Sequence, residues 1–392
     1  MSSCRLAIIA DDLSGALDTA APFAARGADA RVVISLEALA TTLEAWQGQW
    51  PAVIAVNIES RHLPSEEAAL RVSEAVRLLT RVAPQQWFKK VDSTLRGQVV
   101  AECKALREAL GLPLLLAPAV PAQGRTVRHA EVWVDGTPLA NTAYQQDALS
   151  TPLVGPIDLA FAATGLPLQR YHPGYDVPLP SGDCIADAES NEALSALYQC
   201  VLSADGRWAM AGAAGLATAI AKHSYRSTNA PFRSLDQVEN VLYAVGSRSP
   251  RAAEQFHQLR QRLPDLAVIE ASGDTYLHSA MGVCAVVPGE DGKDEERTAS
   301  QVAEGMAAQV AEMTSAWRGE ESSLLFLTGG DIAMAVLSQQ GVSYINVEAE
   351  WSPGVALGCM DGDTRRRVMT KAGGFGDPQL LVRLHEQLIP PS

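Results

Sequence analysis

Short apolar runs alternate with amphipathic stretches along most of the chain. Leu6-Ala7-Ile8-Ile9-Ala10 is the first such run, and it stops at two carboxylates, Asp11 and Asp12. Arg31–Ile34, Ala52–Val56, Trp87–Val91, Leu112–Ala117 and Arg207–Ala211 repeat the theme and are predicted as buried strands. Between them, Gln98–Leu110 places Val99, Cys103, Leu106 and Leu110 on one helical face. Ser65–Leu79 opens with Glu66 and Glu67, which suit the positive end of a helix. This alternation predicts a mostly parallel sheet covered by helices. Glu131–Leu139 departs from it: Val132-Trp133-Val134 followed by Asp135-Gly136 predicts a hairpin added to the sheet.

The polar, irregular stretch His223–Gln237, with Asn229-Ala230-Pro231 at its middle, marks a boundary between domains at 1–230 and 238–392. Alternation then restarts with strands at Val241–Val245, Leu266–Ala271, Val283–Val287, Leu324–Leu327 and Tyr344–Glu348. Helices are expected at Arg251–Leu263, Thr298–Trp317 and Ile332–Gln339, with a charged loop, Gly289–Arg297, before the second. A last helix is expected from Pro378, capped by Asp377. The fold class is thus α/β, with two α/β/α domains.

Composition fits this division, since 392 residues exceed what one core usually carries and 47% of them are hydrophobic. A net charge of −14, with no basic patch, argues against nucleic acid as a partner. No apolar run approaches the ~18 residues of a membrane span. The start of the chain does not read as a signal peptide, because Asp11 and Asp12 interrupt it. The six cysteines are scattered without a CxxC pair, which predicts reduced, buried thiols and a cytoplasmic location. The seven histidines lack zinc-binding spacing.

Candidate chemistry gathers where strands end. Asp11 and Asp12 could accept hydrogen bonds from a substrate hydroxyl, act as general base, or hold Mg²⁺; alternatively they form a solvated turn capping the next helix, helped by Ser14. In Trp87-Phe88-Lys89-Lys90-Val91-Asp92-Ser93-Thr94-Leu95-Arg96-Gly97, at least one lysine should face buried surface. The turn at Ser93, Thr94 and Gly97 leads into a helix, and Lys90 and Arg96 could complete a carboxylate pocket there. Arg61 could join it as a bidentate clamp. Pro121-Ala122-Gln123-Gly124-Arg125-Thr126 either frames a substrate or is a turn.

The second half holds three small-residue loops at strand-to-helix junctions: Gly246-Ser247-Arg248-Ser249-Pro250, Thr328-Gly329-Gly330-Asp331 and Gly373-Gly374-Phe375-Gly376. Backbone amides in such loops approach phosphate oxygens, and three in one domain favour a nucleotide site. Neither GxxxxGK[ST] nor GxGxxG occurs, so neither a P-loop nor a dinucleotide fingerprint is present.

These motifs together resemble the four-carbon acid sugar kinases, the family of D-threonate, D-erythronate and 3-oxo-tetronate kinases. The resemblance spans nearly the whole chain. It rests on Ile9–Ala16, Lys89–Gly97, Gly246-Ser247, Leu327–Asp331, Pro353–Gly358 and Thr370–Asp377. The Lys89–Gly97 stretch is most like the threonate and erythronate branch. The resemblance implies an N-terminal sugar-acid domain, a C-terminal ATP domain and an active site in the cleft between them. It implies substrate contacts at Asp11, Asp12, Arg61, Lys90, Asp92 and Ser93, with Arg96 beside them. It implies ATP contacts at Ser247, Thr328, Gly329, Gly330, Asp331, Gly373 and Gly374. Ser14, Leu17 and Ala20 depart from the family's commoner Thr, Asn and Gly.

The expected reaction is transfer of the ATP γ-phosphoryl to the terminal hydroxyl of the acid. Asp12 or Asp92 would orient or deprotonate that hydroxyl, and Asp331 would help hold Mg²⁺. Competing readings are a 3-oxo-tetronate 4-kinase, a sugar-acid oxidoreductase and a non-catalytic sugar-acid sensor. A homodimer is a further expectation.

Overall fold

The computed structural model describes residues 3–389 apart from 147–149, 175–176, 205, 227–234, 236–237, 272–281, 290–296, 316 and 318–321. The chain divides into two compact units, Met1–Thr228 and Asn229–Ser392. Most of the predicted boundary stretch, and the charged loop at 290–296, lie outside the described residues.

In the first unit the strands are β1 (Leu6–Ala10), β2 (Ala30–Val33), β3 (Val53–Asn57), β4 (Gln86–Lys90), β5 (Leu114–Ala117), β6 (Arg125–Arg128), β7 (Glu131–Val134), β8 (Thr137–Pro138), β9 (Gln169–Tyr171), β10 (Cys184–Ala186) and β11 (Ala209–Gly212). The helices are α1 (Leu13–Ala24), α2 (Leu36–Ala45), α3 (Ser65–Leu79), α4 (Val99–Leu110), α5 (Ile157–Ala162), α6 (Asn191–Ser203) and α7 (Ala214–Ser224). The main sheet runs β2-β3-β1-β4-β11-β5-β10-β9, and its pairings are parallel. Every residue of β1, β3, β5 and β11 is buried, as expected of parallel strands covered on both faces. The chain leaves β1 toward β2 on one side and leaves β4 toward β5 on the other. The β1/β4 pair is therefore the switch point of the sheet, where open α/β folds place ligands.

One expectation is corrected here. The Val132-Trp133-Val134 hairpin does not join the main sheet. β6, β7 and β8 form a separate antiparallel sheet. Its tie to the main body runs through the Val127–Ala188 bridge and through Asp187, whose carboxylate accepts the His129 and Ala130 amides.

The second unit contains β12 (Asn240–Val245), β13 (Ala267–Glu270), β14 (Val283–Val287), β15 (Ser323–Thr328), β16 (Tyr344–Ser352), β17 (Val355–Met360) and β18 (Arg366–Lys371). Its helices are α8 (Pro250–Arg262), α9 (Ala299–Thr314), α10 (Gly330–Gln339) and α11 (Leu380–Leu388). Strand order is β13-β14-β12-β15-β18-β17-β16. The first five strands are parallel, and β18, β17 and β16 pair antiparallel. The sequence reading lacked β17 and β18. Tyr243 and Phe326 pack at 5.9 Å in a core that also takes Leu380, Leu384 and Leu388 from α11. Its switch point is β12/β15, with β18 alongside.

The last helix begins later than expected. Gln379, not Asp377, is its cap residue. Asp377 instead accepts the Gln379 amide across a short turn and pairs with Arg383. Cys4, Cys103, Cys184 and Cys284 are buried thiols, each pushed up to about 12 by burial. Among the described residues no helix is long and apolar enough to cross a membrane.

Candidate active site

In the first unit, the exits of β1, β3 and β4 converge on one guanidinium. Asp11 ends β1, and Asp12 caps α1 by accepting the Gly15 amide at 2.8 Å. Asp12 is thus the cap; Ser14 is not, and Asp11 is buried rather than solvated. The β3 exit follows β1 through amide bonds from Ile58 to Ala10 O and from Ser60 to Asp11 O, which brings Arg61 alongside. Arg61 Nε lies 2.7 Å from Asp11 Oδ2, Nη1 lies 2.7 Å from Asp12 Oδ2, and Nη2 lies 3.9 Å from Asp92 Oδ1. Three carboxylates of the protein itself occupy the clamp that the sequence offered to a substrate.

Asp92 follows β4 and organises the turn into α4. Its Oδ2 accepts the Thr94 hydroxyl, the Thr94 amide and Arg96 Nε, and its Oδ1 accepts Arg96 Nη2 at 2.9 Å. Leu95 is buried in the left-handed region at φ 59°, and Gly97 follows at φ 83°. A side chain at Gly97 would crowd Arg61 and Asp11 Oδ2, at 3.4 Å from each. Strain of this kind concentrates at functional turns.

Electrostatics separates the carboxylates. Burial would raise the Asp11 carboxyl, but the Arg61 guanidinium, with Lys89 and Lys90, more than reverses this and holds it below the usual range. Asp92 is held well below that range in the same way: Arg61 and Arg96 outweigh burial. Asp12 is the most open of the three, with 22% of its side chain exposed against 2% and 11% for Asp11 and Asp92. Asp11 Oδ1 is buried with no hydrogen-bond partner. Such an oxygen is costly unless a hydroxyl, water or cation meets it.

Both lysines at the end of β4 are buried. Lys90 Nζ donates to Val91 O at 2.8 Å, and Gly15 lets it approach: a Cβ there would lie 3.2 Å from Lys90 Nζ and 2.5 Å from Asp12 Oδ1. Ser93, on the turn that follows, is half-buried. Lys89 points the other way, to Glu102 Oε2 at 3.2 Å, and Ser60 closes on the second Glu102 oxygen. Burial holds the Glu102 carboxyl above its ordinary value, although Lys89 pulls it down. The sequence reading missed Ser60 and Glu102, and it named Gly15 only as part of the Ile9–Ala16 motif. Glu102 was visible in principle, as a carboxylate three residues after Val99 on the apolar face of α4.

In the second unit, the three small-residue loops leave neighbouring strands. Val245, Thr328 and Lys371 are in register at the ends of β12, β15 and β18. The Gly246 amide donates to Thr328 O, and the Gly329 amide to Lys371 O. Gly373 lies so close to Ser247 that a Cβ would fall 1.9 Å from Ser247 Oγ. Ser247, Thr328, Gly329, Gly330, Gly373 and Gly374 therefore share one crest of the sheet. Asp331 is exposed on the first turn of α10. Lys371, 1% exposed, was not singled out by the sequence, yet its ammonium lies directly beneath the third loop.

Comparison with known proteins bears on both halves. Residues 6–153 match a family model described as a sugar-binding N-terminal domain, and residues 242–381 match one described as a nucleotide-binding C-terminal domain. The chain is 33% identical to the D-threonate kinase of Cupriavidus necator over 95% of each chain. It belongs to the four-carbon acid sugar kinase family. Within that family it is 29% identical to the D-threonate kinase of Bordetella bronchiseptica, over 98% of this chain and 97% of the relative. D-erythronate and 3-oxo-tetronate kinases match less closely over comparable lengths. The fold recurs in the crystal structure of Haemophilus influenzae protein HI1011, with a TM-score of 0.73 at 17% identity over 98% of this chain and 100% of that one.

Proposed function

We propose that the protein transfers the γ-phosphoryl group of ATP to the terminal hydroxyl of a four-carbon sugar acid, with D-threonate as the preferred acceptor. The observation that carries this reading is kinship with D-threonate kinases along the whole chain, across both the sugar-binding and the nucleotide-binding half. The geometry supports the following roles. Lys90 and Ser93 bind the acid's carboxylate and hydroxyls. Asp12, the most solvent-open carboxylate of the Arg61 cluster, orients the attacking hydroxyl and accepts its proton. The buried Asp11 Oδ1 accepts a second substrate hydroxyl. Arg61, Asp92 and Arg96 position these groups rather than touch the acid.

On the nucleotide side, Ser247, Thr328, Gly329, Gly330, Gly373 and Gly374 bind phosphate oxygens. Mg²⁺ generally rests on one or two carboxylates plus substrate phosphates, and exposed Asp331 fits that pattern. When bound there, the ion would neutralise phosphate charge. Positioning and charge neutralisation carry most of such a reaction.

The test is ADP release with Mg-ATP and a panel of D-threonate, D-erythronate, their L forms and 3-oxo-tetronate. The proposal expects the highest kcat/KM with D-threonate. Confirmed ATP binding without turnover of any of these acids would overturn it.

A further inference from the structure

The Gly-rich loop after β18 is held from below by two buried donors that are not on the loop's open side. Lys371 Nζ donates to Ala372 O at 3.0 Å, Gly373 O at 2.8 Å and Phe375 O at 3.1 Å. Gln255, 0% exposed on α8, donates through Nε2 to Phe375 O at 3.0 Å and Asp377 O at 2.8 Å. An ammonium has three hydrogens, so all those of Lys371 are used within the loop.

A trans peptide holds its C=O and N–H on opposite sides of the chain. Carbonyls 372, 373 and 375 turned toward Lys371 therefore turn the amides of Gly373, Gly374 and Gly376 away from it. Among the described residues, none of these three amides donates a hydrogen bond to the protein. Gly376 (φ 81°) fits only as glycine, since a Cβ would lie 2.3 Å from Leu380 Cδ1 and 3.0 Å from Gln255 Nε2. Gly354, also in the left-handed region, makes room for the Phe375 ring in the same way.

We propose that Lys371 and Gln255 are positioning residues that lock the peptide orientations of the Gly373–Gly376 loop, presenting its amides to the nucleotide phosphates, and that the Lys371 ammonium is not itself a phosphate ligand. The inference rests on the nucleotide role proposed above for this unit. A lysine in a Gly-rich loop invites assignment to phosphate. Here burial and three carbonyl partners turn it inward. Among the described residues it has no carboxylate partner, and burial, with Arg251 nearby, lowers its pKa to about 8.

The experiment uses full-length Lys371→Met and Gln255→Leu. Three quantities are measured: ATP affinity by calorimetry, steady-state constants with the best acid, and chymotrypsin cleavage at Phe375–Gly376 without nucleotide. Both variants should be cleaved at least about tenfold faster and bind ATP at least about tenfold more weakly, with the KM for the acid within about twofold of wild type. If Lys371→Met loses ATP affinity while its cleavage rate stays at the wild-type value, the ammonium is a direct ligand and the proposal fails. If Lys371→Met does not fold, Gln255→Leu removes two loop bonds without touching a charge, and unchanged ATP affinity in it overturns the proposal. A wild-type protein that binds no ATP would overturn the nucleotide role itself, while the cleavage rates would still report on the loop.

Discussion

Arg61 Nη1 lies 2.7 Å from Asp12 Oδ2, while the other Asp12 oxygen accepts the Gly15 amide. The candidate base is thus fixed at both oxygens before any substrate arrives. Arg61 also holds Asp11 through its Oδ2, so one guanidinium sets the geometry of two adjacent carboxylates.

Removing that guanidinium should be costly. In Arg61→Met, Asp11 and Asp92 keep their burial but lose the strongest of the cations that hold them ionised, leaving Lys89 and Lys90 to Asp11 and Arg96 to Asp92. Breaking a buried ion pair from one side costs about 3–5 kcal/mol. Thermal or denaturant melts should show a loss of that order, together with loss of turnover. Unchanged stability would mean that the cluster is more hydrated than its burial implies.

Asp12 and Asp92 should fail differently. With Asp12 as the proposed proton acceptor, Asp12→Asn should lower kcat by about 100-fold or more with little change in melting temperature. Asp92→Asn disrupts the turn that carries Ser93 and Arg96, so it should lower stability and raise the KM for the acid. Preserved kcat in Asp12→Asn, with only KM raised, would reassign Asp12 to positioning.

The Lys89–Glu102 pair gives a pH test. In Lys89→Met the Glu102 carboxyl loses its cation, and burial then favours its neutral form still more. The folded state would bind a proton that the unfolded state releases above its ordinary value near 4.5. Stability of the variant should therefore fall as pH rises through that window. The Lys89→Met/Glu102→Leu double variant should lose this slope. A Lys89→Met stability curve parallel to wild type would count against the pair.

Lys371 predicts a basic limb. As pH passes about 8 the ammonium becomes an amine, loses one N–H, and can keep only two of its three bonds to the loop carbonyls. The KM for ATP should rise there while the KM for the acid stays flat. Global stability should move the other way. The unfolded lysine, near 10.5, binds its proton across this window and the folded one does not, so stability rises with pH. A KM for ATP that stays flat from pH 7 to 10 would contradict this assignment.

Two glycines should separate the two sites. Gly15→Ala puts a methyl 2.5 Å from Asp12 Oδ1, and Gly373→Ala puts one 1.9 Å from Ser247 Oγ. The first should raise the KM for the acid and spare ATP; the second should raise the KM for ATP and spare the acid. The converse pattern would exchange the roles of the two units.

The parallel strands were legible because burial on both faces writes them as continuous apolar runs, as in β1 and β5. Helix α1 was expected only as the helix after the Asp11-Asp12 turn, without bounds, because ten of its twelve residues are buried and Pro22 interrupts it, so it has no polar face to set a period. β18 begins with two arginines, and its antiparallel pairing to β17 depends on partners that no local pattern encodes. In the site, the residue types at strand ends were legible. Their partners were not: Arg61 reads as a clamp for a ligand until the fold brings it to Asp11, fifty positions away. The role of Lys371 depends on the direction of backbone carbonyls, which residue types do not specify.

The most direct test of the central claim is the identity of the product. After complete turnover of D-threonate with Mg-ATP, phosphorus–proton correlation NMR should show one phosphate monoester coupled to the two terminal methylene protons, in amount equal to the ADP formed. Inorganic phosphate alone, or coupling to a single methine proton, would contradict transfer to the terminal hydroxyl.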